Sequence, residues 1–137
     1  MRILDRAQPF ALTVLRVVLG VILIAHGRQK VFGGIHHHLA FVGKLGLPPW
    51  LGYLSAGTEF VGGILLILGL LTRLVGIAVV IEMLVAIFKV HLKNGLATPA
   101  GYDFPMSMAA IAFLLIFYGA GPISLDWLLN PSGDSRR

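Results

Sequence analysis

Three ionisable residues, Arg16, Glu59 and Glu82, lie inside long apolar stretches of this chain. A charge at the middle of a bilayer is costly, so such residues face a bundle interior, where they pair or line a pathway. If each stretch is a helix rising ~1.5 Å per residue, measured from the side that bears the termini, Arg16 stands at ~9 Å, Glu82 at ~12 Å and Glu59 at ~18 Å. Arg16 is then level with Glu82 and within reach of Glu59. At ~100° per residue, Glu59 shares a face with Gly52, Ser55, Ala56, Gly62 and Gly63, a small-residue surface that admits a neighbouring helix or a flat ligand. Arg16 shares its face with Gly20 and Gly27, and Lys89 points the same way as Glu82. A second polar tier gathers toward the opposite surface, from His26, Lys30, Lys89, His91, Tyr102 and Asp103.

These residues allow several chemistries. Arg16, Glu59 and Glu82 could form one buried ion network that fixes helix register without any catalysis. They could instead be the catalytic core of a polar pocket for a proton-coupled ligand such as a quinone, with His26, Lys30, Gly62, Gly63, Lys89, His91, Tyr102 and Asp103 as its ligand-binding surroundings. A path for a solute or for protons is a third reading. Bis-histidine haem ligation by His26 and His91 is disfavoured, because His91 lies about half a turn away from the Glu82 face. The run His36-His37-His38 reads as polar loop residues rather than a metal site, since adjacent side chains rarely converge on one ion. With no cysteine in the chain, disulfides, thiolate metal sites and dithiol chemistry are excluded, and redox chemistry needs a borrowed cofactor. No nucleotide fingerprint is present.

The elements that must carry these residues follow from composition. Of the 137 residues 57% are apolar and only 12% charged, with a mean hydropathy of +0.88; a water-soluble domain of this size needs a polar shell that this chain cannot supply. The apolar residues fall in four blocks, about Phe10–Ala25, Leu51–Leu71, Leu74–Val90 and Pro105–Tyr118. Each is close to the ~20 residues that cross ~30 Å of hydrocarbon, the first and fourth being short. The expected fold is therefore an all-α membrane protein, a four-transmembrane-helix antiparallel bundle with both termini on one side. The first block resembles a signal peptide in its basic start, yet Arg16 interrupts it and no small-x-small cleavage pattern follows, so it reads as a retained span. Between the first two blocks, Gly33-Gly34, the three histidines and Leu47-Pro48-Pro49-Trp50 read as a loop. Thr72-Arg73 reads as a tight turn that makes the second and third helices antiparallel neighbours. Residues 1–130 form a single domain, and 131–137 read as a short disordered tail.

A formal charge of +5 and a pI near 10.1 raise the question of nucleic acid. The 11 Lys and Arg residues are scattered along the chain rather than clustered, which argues against it and for contact with anionic lipid headgroups. Flanking Lys and Arg are balanced between the two sides. Arg2 and Arg6 beside the first span tip the reading to both termini in the cytoplasm of a bacterial plasma membrane.

One set of motifs carries a family likeness. Leu15-Arg16, His26-Gly27-Arg28-Gln29-Lys30-Val31-Phe32-Gly33-Gly34, Gly46-Leu47-Pro48, Glu59 followed by Gly62-Gly63, Gly69-Leu70-Leu71-Thr72-Arg73, Val90-His91-Leu92-Lys93-Asn94-Gly95, Gly101-Tyr102-Asp103 and Ser124-Leu125-Asp126 together resemble the DoxX family of small bacterial four-helix membrane proteins. The likeness spans about Leu15 to Leu129. Each motif alone is weak; eight in the family's order are specific. The resemblance implies a membrane oxidoreductase or redox-complex subunit coupled to the quinone pool, because relatives are subunits of a thiosulfate:quinone oxidoreductase and others are linked to redox stress or to quinone and catechol resistance. Its alternative is a non-catalytic anchor or scaffold for a soluble redox partner, and a homo-oligomer is compatible with either. The sequence departs from the family in carrying Asp103 where Glu commonly follows Gly-Tyr, which keeps the charge on a shorter side chain.

Overall fold

The computed structural model of the chain describes residues 1–133. Among the described residues the elements are helical and no strand occurs. A short helix α1 (Arg2–Arg6) leads into α2 (Gln8–Phe32); α3 (Ile35–Lys44) follows, then α4 (Leu51–Leu68), α5 (Thr72–Ala86), α6 (Asp103–Tyr118) and the short α7 (Leu125–Leu129). The α5 rod continues through a π turn, Ile87–His91, and a 3₁₀ turn, Leu92–Asn94. As apolar rods, α2 has 25 residues, α4 has 18, and α5 with its extension has 23, within the range of roughly 17–25 residues that crosses the thickness of a hydrocarbon core. The fourth, α6, has 16 residues and is shorter than that thickness. Three long apolar helices and one shorter one thus make the membrane bundle expected from composition. Pro131–Gly133 form a 3₁₀ turn; the rest of the expected tail, residues 134–137, lies outside the described residues.

Glycine decides which helices touch. The main pairings are α2 with α4 and α5 with α6. A Cβ on Gly20 would stand 2.7 Å from the Gly63 carbonyl oxygen, and one on Gly63 the same distance from the Gly20 carbonyl oxygen. A Cβ on Gly27 would collide with the Phe60 backbone nitrogen. Close backbone approach of this kind is how helices associate where lipid removes the hydrophobic drive. On the other pair, Gly76 sits against the Ala112 carbonyl oxygen, 3.0 Å from where its Cβ would be. Between the pairs lies a core of Leu19, Leu23, Leu66, Val79, Ala112 and Leu115, all fully buried.

Both ends of the bundle are identifiable. At one, Gly69 takes a left-handed conformation (φ 70°) and Leu71 another (φ 52°), so the α4–α5 turn falls at Gly69–Leu71, slightly before the expected Thr72-Arg73. The Asp126 carboxylate accepts hydrogen bonds from the Leu71 (2.7 Å) and Thr72 (3.0 Å) backbone N–H groups, capping α5 from a distant part of the chain. The start of α2 and the segment after α6 meet here too, through Leu12 and Gly121, so the termini share this end. At the opposite end lies α3, in the stretch expected to be a loop. Ile35, Leu39 and Val42 recur at helical spacing and turn inward, while His36 and His37 remain exposed. Gly34, at φ 137°, breaks the chain out of α2 and starts α3 in a new direction.

Candidate functional site

At the α3 end, three charged side chains from three helices converge. Lys30 lies in the last turns of α2, Glu59 in the middle of α4 and Glu82 in the second half of α5. The Lys30 ammonium Nζ stands 2.8 Å from Glu59 Oε2 and 3.8 Å from Glu82 Oε1. Their side chains are 27%, 6% and 14% exposed respectively, which puts both acids out of water while Lys30 keeps one flank open. Helical side chains tilt toward the N-terminus of their own helix. Lys30 on α2 therefore leans into the membrane, whereas Glu59 on the antiparallel α4 leans outward to meet it.

Ser55, one turn before Glu59, ties the cluster together. Its hydroxyl donates to Glu82 Oε1 at 2.5 Å and lies 3.4 Å from Lys30 Nζ and 3.3 Å from His38 Nε2. Two carboxylates and one ammonium would carry a net negative charge in an apolar setting; the trio is neutral when one proton is held on the carboxyl pair. Glu82 Oε2, buried and without a hydrogen-bond partner among the described residues, is an atom free to carry it.

This cluster lines a cavity of about 510 Å³ between α3, α4 and α5, within the range of small-molecule sites. Lys30, His38, Ser55, Glu59 and Glu82 supply its polar wall with Thr58, and the remainder is apolar, with Leu47, Leu54, Ile81 and Val85 among the lining residues. The arrangement suits a molecule with a polar head and an apolar body. A second cavity, of about 380 Å³, lies at the termini end beside Arg73 and Asp126. Its charged groups are already engaged: Asp126 caps α5, and the Arg73 guanidinium donates to the Ile116 and Phe117 carbonyl oxygens.

The expected polar core of Arg16, Glu59 and Glu82 is split. Glu59 and Glu82 meet, but Arg16 pairs with neither. It is 2% exposed, and its guanidinium donates to the carbonyl oxygens of Ala120 (2.6 Å) and Ile123 (2.8 Å), beside Gly69, where a Cβ would strike it. Arg16 and Lys30 lie 14 residues apart on one face of α2, ~21 Å in height, and Arg16 leans away from the acids toward the termini. Its role here is to latch the segment after α6 onto α2.

The expected ligand-binding residues also divide. Lys30 joins the acids. Gly62 and Gly63, expected to leave room for a ligand, are instead filled by neighbours: Gly63 by Gly20 and Ile24 of α2, Gly62 by Val75 of α5. The other tier residues stay outside the cavity lining. His26 is exposed, donates through Nδ1 to the Ile22 carbonyl oxygen and packs on the Phe104 ring. Lys89 is exposed. His91 donates through Nδ1 to the Ala100 carbonyl oxygen, and Tyr102 and Asp103 start α6, where the Asp103 carboxylate accepts from the Phe104 N–H. Two members of the site were missed. Ser55 was visible as a neighbour on the Glu59 face, and His38 could have been found from the helical spacing of Ile35, Leu39 and Val42.

Fold and site together define a small helical membrane protein with a lysine-bridged carboxyl pair in the wall of a largely apolar cavity. The chain belongs to the DoxX family, whose pattern matches residues 11–92, a stretch that holds Lys30, His38, Ser55, Glu59 and Glu82. It is 35% identical over 113 residues to a Bacillus subtilis (strain 168) protein named "Putative oxidoreductase CatD", covering 82% of each chain. It is also 33% identical over 128 residues, 90% of this chain and 93% of the other, to a Haemophilus influenzae protein named "Uncharacterized protein". No solved structure matches it.

Proposed function

We propose that the chain is a membrane oxidoreductase, or the membrane subunit of a redox complex, that binds a quinone head group in the cavity between α3, α4 and α5 and exchanges protons with it. The observation that carries this reading is that the Lys30–Glu59–Glu82 cluster lines a cavity whose other walls are mostly apolar. A quinone has two carbonyl acceptors on a flat apolar ring, and the quinol carries two hydroxyl donors. Lys30 and a protonated carboxyl can donate to the first; ionised Glu59 or Glu82 can accept from the second. Reduction of a quinone to the quinol takes two electrons and two protons. The electrons come from a reduced small molecule or from a soluble redox partner, and the protons pass through the carboxyl pair. The name of the Bacillus relative supports the same class.

The membrane is the bacterial plasma membrane, with both termini cytoplasmic, supported by Arg2 and Arg6 beside the first span. The cavity then opens near the outer face. Reporter fusions after Arg73 and near Gly95 test this sidedness, and an inward signal only from the second would reverse it.

The binding reading is tested with the purified protein in mild detergent and a short-chain quinone, by quenching of Trp50 in a Trp127→Phe background. Trp50 adjoins Leu51, which lines the cavity. Saturable quenching is expected, weakened about tenfold by Glu82→Gln, a loss of about 1.4 kcal/mol, and abolished by Ala86→Phe, which fills the cavity. No saturable response, or an unchanged response in both folded variants, would replace this reading with that of an anchor for a soluble redox partner.

A further inference from the structure

The geometry points to a proton path from the membrane surface at α3 to the buried carboxyl pair, running through His38 and Ser55, with His38 as its entry residue. The reading of the site as a proton-exchanging quinone site gives the path its use, but the path stands on its own hydrogen bonds.

The direction of each bond follows from the inventory of donors and acceptors. A serine hydroxyl has one proton to give and two lone pairs. Ser55 gives its proton to Glu82 Oε1 at 2.5 Å. Lys30, 3.4 Å away, can only donate, so it takes one lone pair. The contact with His38 Nε2 at 3.3 Å must use the other, which requires the proton to sit on Nε2. All three capacities of the hydroxyl are then used. His38 Nδ1 is left as an acceptor, with no hydrogen bond to a described residue.

That arrangement moves a proton without moving a heavy atom far. Water protonates Nδ1; Nε2 releases its proton to Ser55 Oγ; Ser55 passes its own proton to Glu82 Oε1. The imidazole ends with its proton on Nδ1, the serine is again a hydroxyl, the carboxylate has become an acid, and a ring flip resets His38. Each step conserves protons and needs no electron donor. For His38 to relay rather than trap the proton, its imidazolium must be short-lived. Burial, then the Lys30 ammonium, pushes the His38 imidazole below its ordinary value, while Glu59 pulls it back up. Position favours entry at this residue: His36 and His37 are exposed and turned away, whereas His38 is half-buried with one side toward Ser55. The sequence HHH thus holds one working histidine, selected by the ~100° step of α3.

The test follows the exchangeable carboxyl proton directly, with no quinone present. The intact protein is reconstituted in lipid nanodiscs and transferred to D₂O, and the carboxylic-acid C=O stretch, identified by its loss in Glu82→Gln or Glu59→Gln, is timed by infrared spectroscopy. His38→Gly and Ser55→Ala are expected to slow exchange by about 10²-fold, with imidazole added to His38→Gly restoring most of the rate. His36→Ala and His37→Ala should exchange like the unmodified protein. Helix content by circular dichroism separates a blocked path from a misfolded bundle, and His38→Gln serves if His38→Gly does not fold. Exchange at the unmodified rate in folded His38 variants overturns the path, as does the absence of any exchangeable carboxyl band or a failure of imidazole to restore the rate. No saturable quinone response in the unmodified protein, together with slow exchange in His38→Gly, would instead sink the quinone reading and leave the path standing.

Discussion

Replacing Lys30 by methionine removes the only cation within 4 Å of Glu59 and Glu82 among the described residues. At an effective dielectric constant of about 20, its ammonium attracts a carboxylate 2.8 Å away by about 6 kcal/mol and one 3.8 Å away by about 4 kcal/mol. Neither figure survives whole: the Lys30 side chain is 27% exposed and regains solvation on unfolding, and one of the acids can escape by taking a proton. Loss of one partner from a buried pair leaves a net cost of about 3–5 kcal/mol, and the open flank places Lys30→Met at about 3 kcal/mol. The interaction is isolated by a double-mutant cycle with Glu59→Leu, read as the free energy of unfolding in mixed micelles of mild and denaturing detergent, followed by helical circular dichroism. The double variant should be more stable than the sum of the single changes predicts, by about 2 kcal/mol or more. A parallel cycle of Arg16→Met with Glu82→Leu should be additive within about 0.5 kcal/mol, because those residues occupy opposite ends of the bundle. Additivity in the first cycle, or strong coupling in the second, would refute the assignment of partners.

Arg16→Met should cost about 3 kcal/mol, since it strips charged donors from the Ala120 and Ile123 carbonyl oxygens, and proteolysis after Tyr118 should accelerate in step. Asp126→Ala removes the acceptor for the Leu71 and Thr72 N–H groups and should lower the unfolding free energy by about 1–2 kcal/mol. Gly63→Leu should lower stability by about 3 kcal/mol through overpacking against Gly20, and should do so whether or not a quinone is added. The pH dependence of stability should differ between the unmodified protein and His38→Gln: the histidine's folded value lies below its ordinary one, so the unfolded chain binds the extra proton first. Stability carried by neutral His38, facing Lys30, Glu59 and, through Ser55, Glu82, is present above about pH 6.5 and is lost as pH falls below it. An equal acid loss in both proteins would contradict that.

Much of the architecture was legible because lipid demands long apolar runs, and the chain supplies them with glycine-bearing ends. Thr72-Arg73 marked the tight turn to within a few residues of Gly69–Leu71, where the chain reverses. The α3 helix was not legible as such: ten residues with three consecutive histidines after a glycine pair carry more loop signals than helix signals, and Ile35, Leu39 and Val42 are a short apolar stripe. The ionisable residues were legible as a set but not as partners. Heights along straight axes put Arg16 beside Glu82, yet α2 packs on α4 and α5 on α6, so level residues on α2 and α5 need not face. The tilt of side chains along each helix decides the rest, sending Arg16 toward Ala120 and bringing Lys30 back to Glu59. Gly62 and Gly63 were rightly seen as a surface for close approach; that a helix rather than a ligand occupies it depends on Gly20 and Gly27, which provide the matching surface on α2.

The central claim is that the cavity beside Lys30, Glu59 and Glu82 receives a quinone, and photolabelling tests it most directly. An azido-quinone with a short tail, irradiated with the protein in nanodiscs and mapped by mass spectrometry, should label α3, the first half of α4 and the second half of α5. Excess unlabelled quinone should suppress that labelling, and Ala86→Phe should abolish it. Labelling confined to the cavity around Arg73 and Trp127, or labelling that unlabelled quinone does not compete away, would contradict the account.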